Sequence, residues 1–327
     1  MKQGWLFAPQ FWRKKGLIAR ALWPLSGIYW LLHKVDSLLK SRRAISHKGL
    51  VCIGNLNVGG TGKTPLIMDT AARLIEVGLK PVILSKGYKG TITQPCQVLP
   101  AQHSAAQVGD EALMQALIAP TWISTKRTRG VEALKTQPLI LMDDGLQNAG
   151  IKAGLKVVVV DADYGFGNEF LLPAGPLREP MASGIARCDL LVLLSWNKID
   201  LERWQSFNKP LLAAQLEHPK EAVVKRQKYL AFCGIGQPEK FFNSIRSYGL
   251  SLVDTQSFGD HYLYKTQDLR ALKAKAEQKQ AHLLTTQKDW VRLPAQWQSL
   301  VQPMPLSLAW QTASLADYLM TNAISDA

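Results

Sequence analysis

The stretch NVGGTGKTP, residues 57–65, sets three glycines around a threonine and leads into Lys-Thr-Pro, closely after the apolar run LVCIG at 50–54. A glycine-rich turn between a strand and a helix lets successive backbone N–H groups surround phosphate oxygens, which is the chemistry of a P-loop. The parts divide the work by type. Asn57, Val58, Gly59, Gly60, Thr61 and Gly62 form the cradle, Lys63 reaches the outer phosphates, and the Thr64 hydroxyl ligates Mg²⁺ at the start of the helix. The strict pattern has glycine where Asn57 stands; asparagine tolerates left-handed backbone angles, and the turn is expected to survive by that route. A second turn, Asp143-Asp144-Gly145, follows the apolar run at 139–142 and offers the acidic partner that a phosphate-bound metal needs. One aspartate can hold metal while the other orients water or its neighbour, and the sequence does not assign them. The ligands implied are a nucleoside triphosphate and Mg²⁺.

These turns need a frame. Short β-rich runs recur at 50–54, 81–85, 139–142, 157–160 and 190–194, mostly separated by helix-length segments, which is the pattern of a parallel sheet covered by helices. The expected fold is therefore α/β, a P-loop NTPase-like α/β/α sandwich. A second set follows: a strand in 229–236, helices over 239–248 and 266–279, and a strand at 282–286, together predicting a smaller α/β domain. The polar stretch 218–228 joins the two, and AQHSAAQ at 101–107 reads as a loop. The expected organisation is a basic and aromatic helical segment at 1–48, a P-loop domain at 49–217, and a smaller domain with linker strands at 218–327.

With 327 residues, 47% of them hydrophobic, the chain can bury a large core. Its net charge of +14 is concentrated at one end, where ten basic residues before position 49, among them Lys2, Arg42 and Arg43, are opposed only by Asp36. The uncharged run ALWPLSGIYWLLH at 21–33 falls short of the ~20 apolar residues of a spanning helix. Trp5, Trp12, Trp23, Tyr29 and Trp30 are interleaved with the cations, a mixture suited to the membrane interface, so peripheral attachment is expected. The alternative is an amphipathic helix packed on its own protein and kinked at Pro24. No nucleic-acid-binding pattern accompanies the charge, and no protein partner is evident. Cys52, Cys96, Cys188 and Cys233 lie far apart, without metal-ligand spacing, and read as reduced thiols of a cytosolic protein. No cleavable signal is expected, because Arg13, Lys14, Lys15 and Arg20 interrupt any apolar run near the start.

Asn197-Lys198-Ile199-Asp200, directly after the strand 190–194 and its two flanking residues, matches the N-K-x-D by which many GTPases read guanine. A GTP-binding peripheral membrane switch is thus the alternative function. It would also carry D-x-x-G near the metal, and the aspartates at 143 and 144 are followed by glycine too soon. Polar residues after a strand are equally an ordinary capping arrangement.

Further motifs run through the chain: SKGYKG (85–90), GDEA (109–112), DDGLQ (143–147), GFGNEFLLPAGPLREP (165–180), GIGQPEKFF (234–242), GDHY (259–262) and TTQKD (285–289). In order and spacing they resemble the tetraacyldisaccharide 4'-kinases, the lipid A 4'-kinases of Gram-negative bacteria, over residues 50–293. The resemblance implies two α/β/α domains with an N-terminal membrane-associated helix, at the cytoplasmic side of the inner membrane. It implies transfer of the ATP γ-phosphoryl group to the 4'-hydroxyl of tetraacyldisaccharide 1-phosphate. The family's proton-accepting aspartate–histidine pair falls on Asp110 of GDEA and His261 of GDHY, and Lys63 joins them as a catalytic residue. By the same matching Glu111, Arg127, Gln147, Arg178 and Glu179 lie around the substrate or metal; Arg178 either grips phosphate or pairs with Glu179 or a neighbour. Three departures stand out: Lys86 replaces the usual arginine, and Leu146 and Asn148 replace phenylalanine and histidine after the aspartate pair.

Overall fold

The computed structural model describes residues 9–41, 44–219, 221 and 223–322. Lys2, Trp5, Arg42 and Arg43 of the basic end, Lys220 and Ala222 of the polar connection, and residues 323–327 lie outside the described residues. The strands are β1 (Ile45–Gly54), β2 (Val82–Ser85), β3 (Cys96–Gln97), β4 (Thr121–Ile123), β5 (Ile140–Asp143), β6 (Ile151–Asp161), β7 (Leu190–Ser195), β8 (Leu211–Glu217), β9 (Lys228–Cys233), β10 (Ser251–Ser257), β11 (His282–Thr286), β12 (Val301–Met304) and β13 (Ser307–Trp310). The helices are α1 (Leu17–Ser41), α2 (Lys63–Glu76), α3 (Ala105–Val108), α4 (Asp110–Ala116), α5 (Arg127–Ala133), α6 (Met181–Arg187), α7 (Pro238–Ser247), α8 (Thr266–Gln278), α9 (Gln287–Trp290), α10 (Ala295–Gln298) and α11 (Leu315–Asn322).

A nine-stranded sheet runs in the order β13-β8-β7-β6-β1-β5-β2-β4-β3, and a four-stranded one in the order β10-β9-β11-β12. Within the larger sheet only the edge pairs, β13 with β8 and β3 with β4, are antiparallel. Central strands covered on both faces read as unbroken apolar runs rather than alternating ones, and β7, LLVLLS, is buried at all six positions. On one face α2 and α11 pack Leu66, Ile67, Leu74, Leu315 and Leu319 onto β1, β5 and β7; on the other, Leu56, Leu177, Ile185 and Trp204 cover β6 and β7. The smaller sheet is sandwiched likewise, Phe241, Phe242 and Ile245 of α7 on one side, Leu269 and Leu272 of α8 on the other.

Two local readings change. Residues 105–107, read as part of a loop, enter a helical turn, Ala105–Val108, because Ser104 and Gln107 make a capping box. Residues 307–322, assigned by sequence to the smaller unit, belong to the larger sheet: β13 hydrogen-bonds to β8, and α11 buries Leu315, Ala316 and Leu319 beside α2. The four-stranded sheet is therefore an insertion, and the chain crosses to it after β8 and back before β13. The crossings lie side by side, with His218 Nδ1 2.7 Å from the Pro305 carbonyl oxygen.

The α1 helix carries Pro24 within it and turns an unusual face inward. Ala19, Leu22, Ser26, Tyr29, His33 and Ser37, spaced every three or four residues, are buried or half-buried, whereas Leu17, Ile18, Trp23, Leu25, Ile28, Trp30, Leu31, Leu32, Val35, Leu38 and Leu39 are exposed. Apart from Leu22 the docked stripe is small or polar, and it is held by hydrogen bonds: Ser26 Oγ donates to the Leu171 carbonyl at 2.8 Å and Tyr29 Oη to that of Arg178 at 3.0 Å. Just before the helix, Trp12 Nε1 donates to Pro173 O at 3.0 Å. Among the described residues no helix is long and apolar enough to cross a membrane.

Placement of α11 in the larger core has a measurable outcome. Leu319 is fully buried, so Leu319→Ala is expected to lower unfolding stability by about 2–5 kcal/mol through lost burial and a cavity. A denaturant midpoint unchanged from the native protein would place that helix outside the cooperative core.

Candidate active site

Three adjacent parallel strands end at one place. The glycine-rich loop follows β1, the aspartate pair closes β5, and the long run at 165–180 follows β6. Ligands of open α/β sheets bind at the carboxyl ends of strands where the order diverges, and β1 sits there, between β5 and β6. In the loop, Gly59 and Gly62 take positive φ of 118° and 85°. Gly62 is required twice over, since a Cβ there would also stand 2.6 Å from Leu194 Cδ1. Asn57 does not adopt the left-handed angles expected of it. Its contribution is its side chain: Nδ2 donates to the Gly165 carbonyl at 2.7 Å, while Val58 N donates to Pro176 O at 2.8 Å and Arg178 N to Leu56 O at 2.8 Å. An amide replaces the missing glycine because the loop is clamped to the 165–180 run instead of bending freely.

Asn55, fully buried and absent from the sequence-derived set, organises the rest. Its Nδ2 donates to the Asn57 carbonyl at 2.8 Å and its Oδ1 accepts from Lys63 Nζ at 2.9 Å. Lys63 Nζ also lies 3.7 Å from Asp144 Oδ1. Thr64 stands in the first turn of α2, three positions after the buried Thr61, whose hydroxyl has no hydrogen-bond partner among the described residues.

The two aspartates differ. Asp144 has φ 57° and accepts from Arg178 Nη1 at 3.0 and 3.1 Å. Burial pushes its carboxyl up, but Lys63, Arg178 and Arg127 together outweigh burial and hold it below the usual range. Asp143 is buried and accepts from Gln115 Nε2 at 2.7 Å. Burial, reinforced by the Glu111 carboxylate, pushes it up despite Lys63, Gln115 and Arg127. Arg178 pairs with a neighbouring carboxylate, that of Asp144 rather than Glu179. Glu179 is buried instead between Arg187 Nη2, with which it pairs, and Gln147 Nε2 at 3.0 Å; Gln147 Nε2 reaches Asn55 O at 3.0 Å as well. Arg127 is buried beneath the turn, donating through Nη2 to the carbonyls of Asp143 and Asp144. It supports the turn from below. Asn148, in the position of the usual histidine, caps its own turn by accepting from Gly150 N at 3.1 Å.

The α4 helix links this end of the sheet to the smaller unit. Gly109 before it has φ 86°, and a Cβ there would lie 2.7 Å from Tyr88 O, so only glycine lets the helix start against the 85–90 loop. Asp110 and Glu111 then lie in its first turn, and Gln115, one turn on, meets Asp143. Asp110 Oδ2 accepts from His261 Nδ1 at 2.8 Å and from Arg292 Nε at 2.9 Å. Arg292 Nη2 is also 2.9 Å from that oxygen but lacks hydrogen-bond alignment. Burial pushes Asp110 up, yet the His261 hydrogen bond with Lys288 and Arg292 reverses the sign and holds it well below the usual carboxylate range. Glu111 Oε1 pairs with Lys288 Nζ at 3.1 Å, and the Tyr88 ring stands edge-on to His261 at 5.7 Å. The motif residues Asp110 and His261 thus meet, 151 positions apart. Asn55, Gln115, Lys288, Asp289 and Arg292 were missed, although the quoted TTQKD motif held Lys288 and Asp289, and Arg292 follows Asp289 by one helical turn.

In the NKID stretch only Ile199 is buried, and the exposed Asn197 and Asp200 make local hydrogen bonds. Asn197 Nδ2 donates to Asp163 Oδ1 at 3.2 Å, and Asp200 Oδ1 accepts from Glu202 N at 3.1 Å, just before the 3-10 turn Glu202–Phe207.

A family model described as tetraacyldisaccharide-1-P 4'-kinase matches residues 18–323. The chain belongs to that family. A tetraacyldisaccharide 4'-kinase from Paramagnetospirillum magneticum is 44% identical over 314 residues, covering 94% of this chain and 96% of the relative. One from Rhodospirillum centenum is 38% identical over 326 residues, 97% of each chain. In structure, the chain is similar to the crystallised LpxK of Aquifex aeolicus, described as an "apo" form in complex with ATP: the TM-score is 0.72 at 23% identity, covering 95% of this chain and 99% of that one. That likeness shows a shared mixed α/β fold.

The Asp110 cluster predicts a cost of truncation. Removing one partner of a buried ion pair strands the other, at about 3–5 kcal/mol, so Asp110→Ala is expected to lower unfolding stability by that order, read as a lowered urea midpoint at unchanged slope. A native midpoint would mean that Arg292 and His261 find other partners.

Proposed function

We infer that this protein is an ATP-dependent kinase that transfers the γ-phosphoryl group to the 4'-hydroxyl of tetraacyldisaccharide 1-phosphate in lipid A biosynthesis. The observation that carries the reading is the Asp110–His261 contact, 2.8 Å long, presented by a helix whose next turn reaches Asp143 at the end of β5, in a member of this family. Phosphoryl transfer asks a protein mainly to align the reactants, neutralise charge and receive the alcohol's proton. In this reading the loop from Asn57 to Gly62 cradles the ATP phosphates with its main-chain amides, and Lys63, positioned by Asn55, meets the β- and γ-oxygens. Arg178 and Gln147 border the acceptor headgroup, with Glu179 and Glu111 holding their cationic neighbours and Arg127 supporting the aspartate turn. The Asp110–His261 pair takes the proton as the hydroxyl attacks.

The donor set fits Mg²⁺. Asp143 is a buried carboxylate pushed up by burial and in no ion pair among the described residues, with Thr64 at the head of α2 and Asp144 alongside. Asp143, Asp144 and Thr64 would hold such an ion, which would supply positive charge to neutralise the outer phosphates. A guanine switch is less well supported, since Asn197 and Asp200 are engaged with Asp163 and Glu202.

A substrate with four acyl chains stays in the bilayer, so the enzyme comes to its surface as a peripheral protein, here the cytoplasmic face of the inner membrane. Support comes from α1, whose exposed side is the apolar one. Fully burying a leucine-sized side chain is worth about 1.5–3 kcal/mol, and eleven large apolar residues stand outward on this helix against a few docking hydrogen bonds of about 1 kcal/mol each. Membrane insertion of that side outweighs anything the docked stripe gains. We assign residues 1–44 to this attachment, the boundary read at 48 falling inside β1, which pairs with β6 from Ile45 on; 45–217 with the returning 307–322 go to nucleotide binding, and the insertion between them to supplying His261.

With Mg²⁺, γ-labelled ATP and a lipid A disaccharide precursor in detergent, labelled lipid is expected, falling on the order of 10²-fold or more in Lys63→Ala and Asp110→Asn. Guanine-preferring hydrolysis without labelled lipid would overturn the kinase reading. Separately, deletion of residues 1–41 is expected to release the protein from anionic liposomes; unchanged flotation would move the membrane contact elsewhere.

A further inference from the structure

We propose that Arg292 is a positioning residue of the phosphotransfer site, committing Asp110 as a saturated anion so that His261 Nε2 receives the proton; this deepens the kinase reading and rests on it. Asp110 is 4% exposed, and both its oxygens already take donors. Oδ1 accepts from Glu111 N at 2.8 Å, and Oδ2 accepts from His261 Nδ1 at 2.8 Å and Arg292 Nε at 2.9 Å. With the Nδ1 proton donated to this anion, the neutral imidazole offers its bare Nε2 as the acceptor.

The guanidinium can do this because it is itself fixed. Arg292 Nη1 donates to Gly234 O and to Asp289 Oδ1, both at 2.9 Å. Asp289 is wholly buried and accepts in addition from Gly234 N at 2.8 Å, Tyr264 Oη at 2.7 Å and Thr286 Oγ1 at 2.6 Å. The same Gly234 carbonyl accepts from His261 N at 3.0 Å, where the histidine backbone is held at φ 59°, a region non-glycine residues rarely enter. One guanidinium fork therefore ties the main chain of His261 and the side chain of Asp110 to a single anchor. Lysine carries the charge but not the fork.

Charge agrees with geometry. Asp110, Asp289 and Arg292 leave the buried cluster with one net negative charge, and an imidazolium at His261 cancels it. The neighbouring Glu111–Lys288 pair is neutral, and Asp260 Oδ2, 3.7 Å from Nε2, adds a second anion toward the proton. In the reaction the acceptor oxygen bonds to the γ-phosphorus while the bond from that phosphorus to the β–γ bridging oxygen breaks, its electron pair leaving with ADP. The hydroxyl proton passes to His261 Nε2 and afterwards to solvent.

The test is a double-mutant cycle in the lipid-labelling assay. Arg292→Gln is expected to lower kcat about 10²-fold, the scale of general-base catalysis, with KM for ATP nearly unchanged, and Arg292→Lys to recover part of the loss. In a His261→Ala background Arg292→Gln is expected to cost nothing further, since Arg292 acts through the histidine. A full additional loss in that background, or a rise in KM with kcat intact, overturns the proposal in favour of a merely structural arginine. If Arg292→Gln shows no cooperative melting, Arg292→Lys carries the cycle with the same criteria. Absence of labelled lipid with the native protein would strike the kinase reading itself; an active native enzyme with indifferent Arg292 variants strikes only this proposal.

Discussion

The carboxylate of Asp110 is where the two sheets of this protein are joined, and around an apolar contact of Val291 and Trp290 with Leu113 and Met114 the join carries charge of one pattern. Acids stand on the larger unit and bases on the inserted one: Asp110 with His261 and Arg292, Glu111 with Lys288, Asp161 with Lys240 at 3.4 Å. Exposed pairs of this kind contribute little, whereas the buried Asp110–Arg292 contact is costly to break once formed. The cluster around it thus fixes where the insertion sits, and with it where an imidazole stands relative to a phosphate loop carried on the other sheet.

The 165–180 run has a comparable role on the opposite side. It clamps Asn57 and Val58, hands Arg178 to Asp144, and receives Ser26, Tyr29 and Trp12 from the amino-terminal region. The nucleotide loop and the outward-greasy helix are consequently seated on one segment. In the proposed reaction that common seat sets the height of the phosphate above a bilayer.

Much of this was legible in the residues. The apolar runs marked the central strands because a strand covered on both faces cannot alternate, and the glycine-rich loop and aspartate turn fell at the ends of neighbouring strands. Several strands escaped: β3, β4 and β12 carry too few residues for a period, β12 includes Pro303, and the longer β8 and β10 were not read either. The return of β13 was hidden since strand pairing is non-local and nothing in Ser307–Trp310 says which sheet it joins. In the site, Asp110 and His261 came from motif resemblance alone. Arg292 and Asn55 were invisible because a buried arginine and a buried asparagine look like surface residues until their partners are placed. Asn57 was legible as tolerable but for a different cause, its amide rather than its backbone.

The side-by-side crossings beside His218 and Pro305 have a mechanical meaning. A module spliced into its host by two adjacent straps can swing about the line between them but resists twisting out of register, and closing it requires less loss of chain freedom than docking a module held at one end. Nicking either strap with a protease would leave the module still attached by the other, so a cleaved chain would migrate as two fragments in denaturant yet travel as one particle in native buffer.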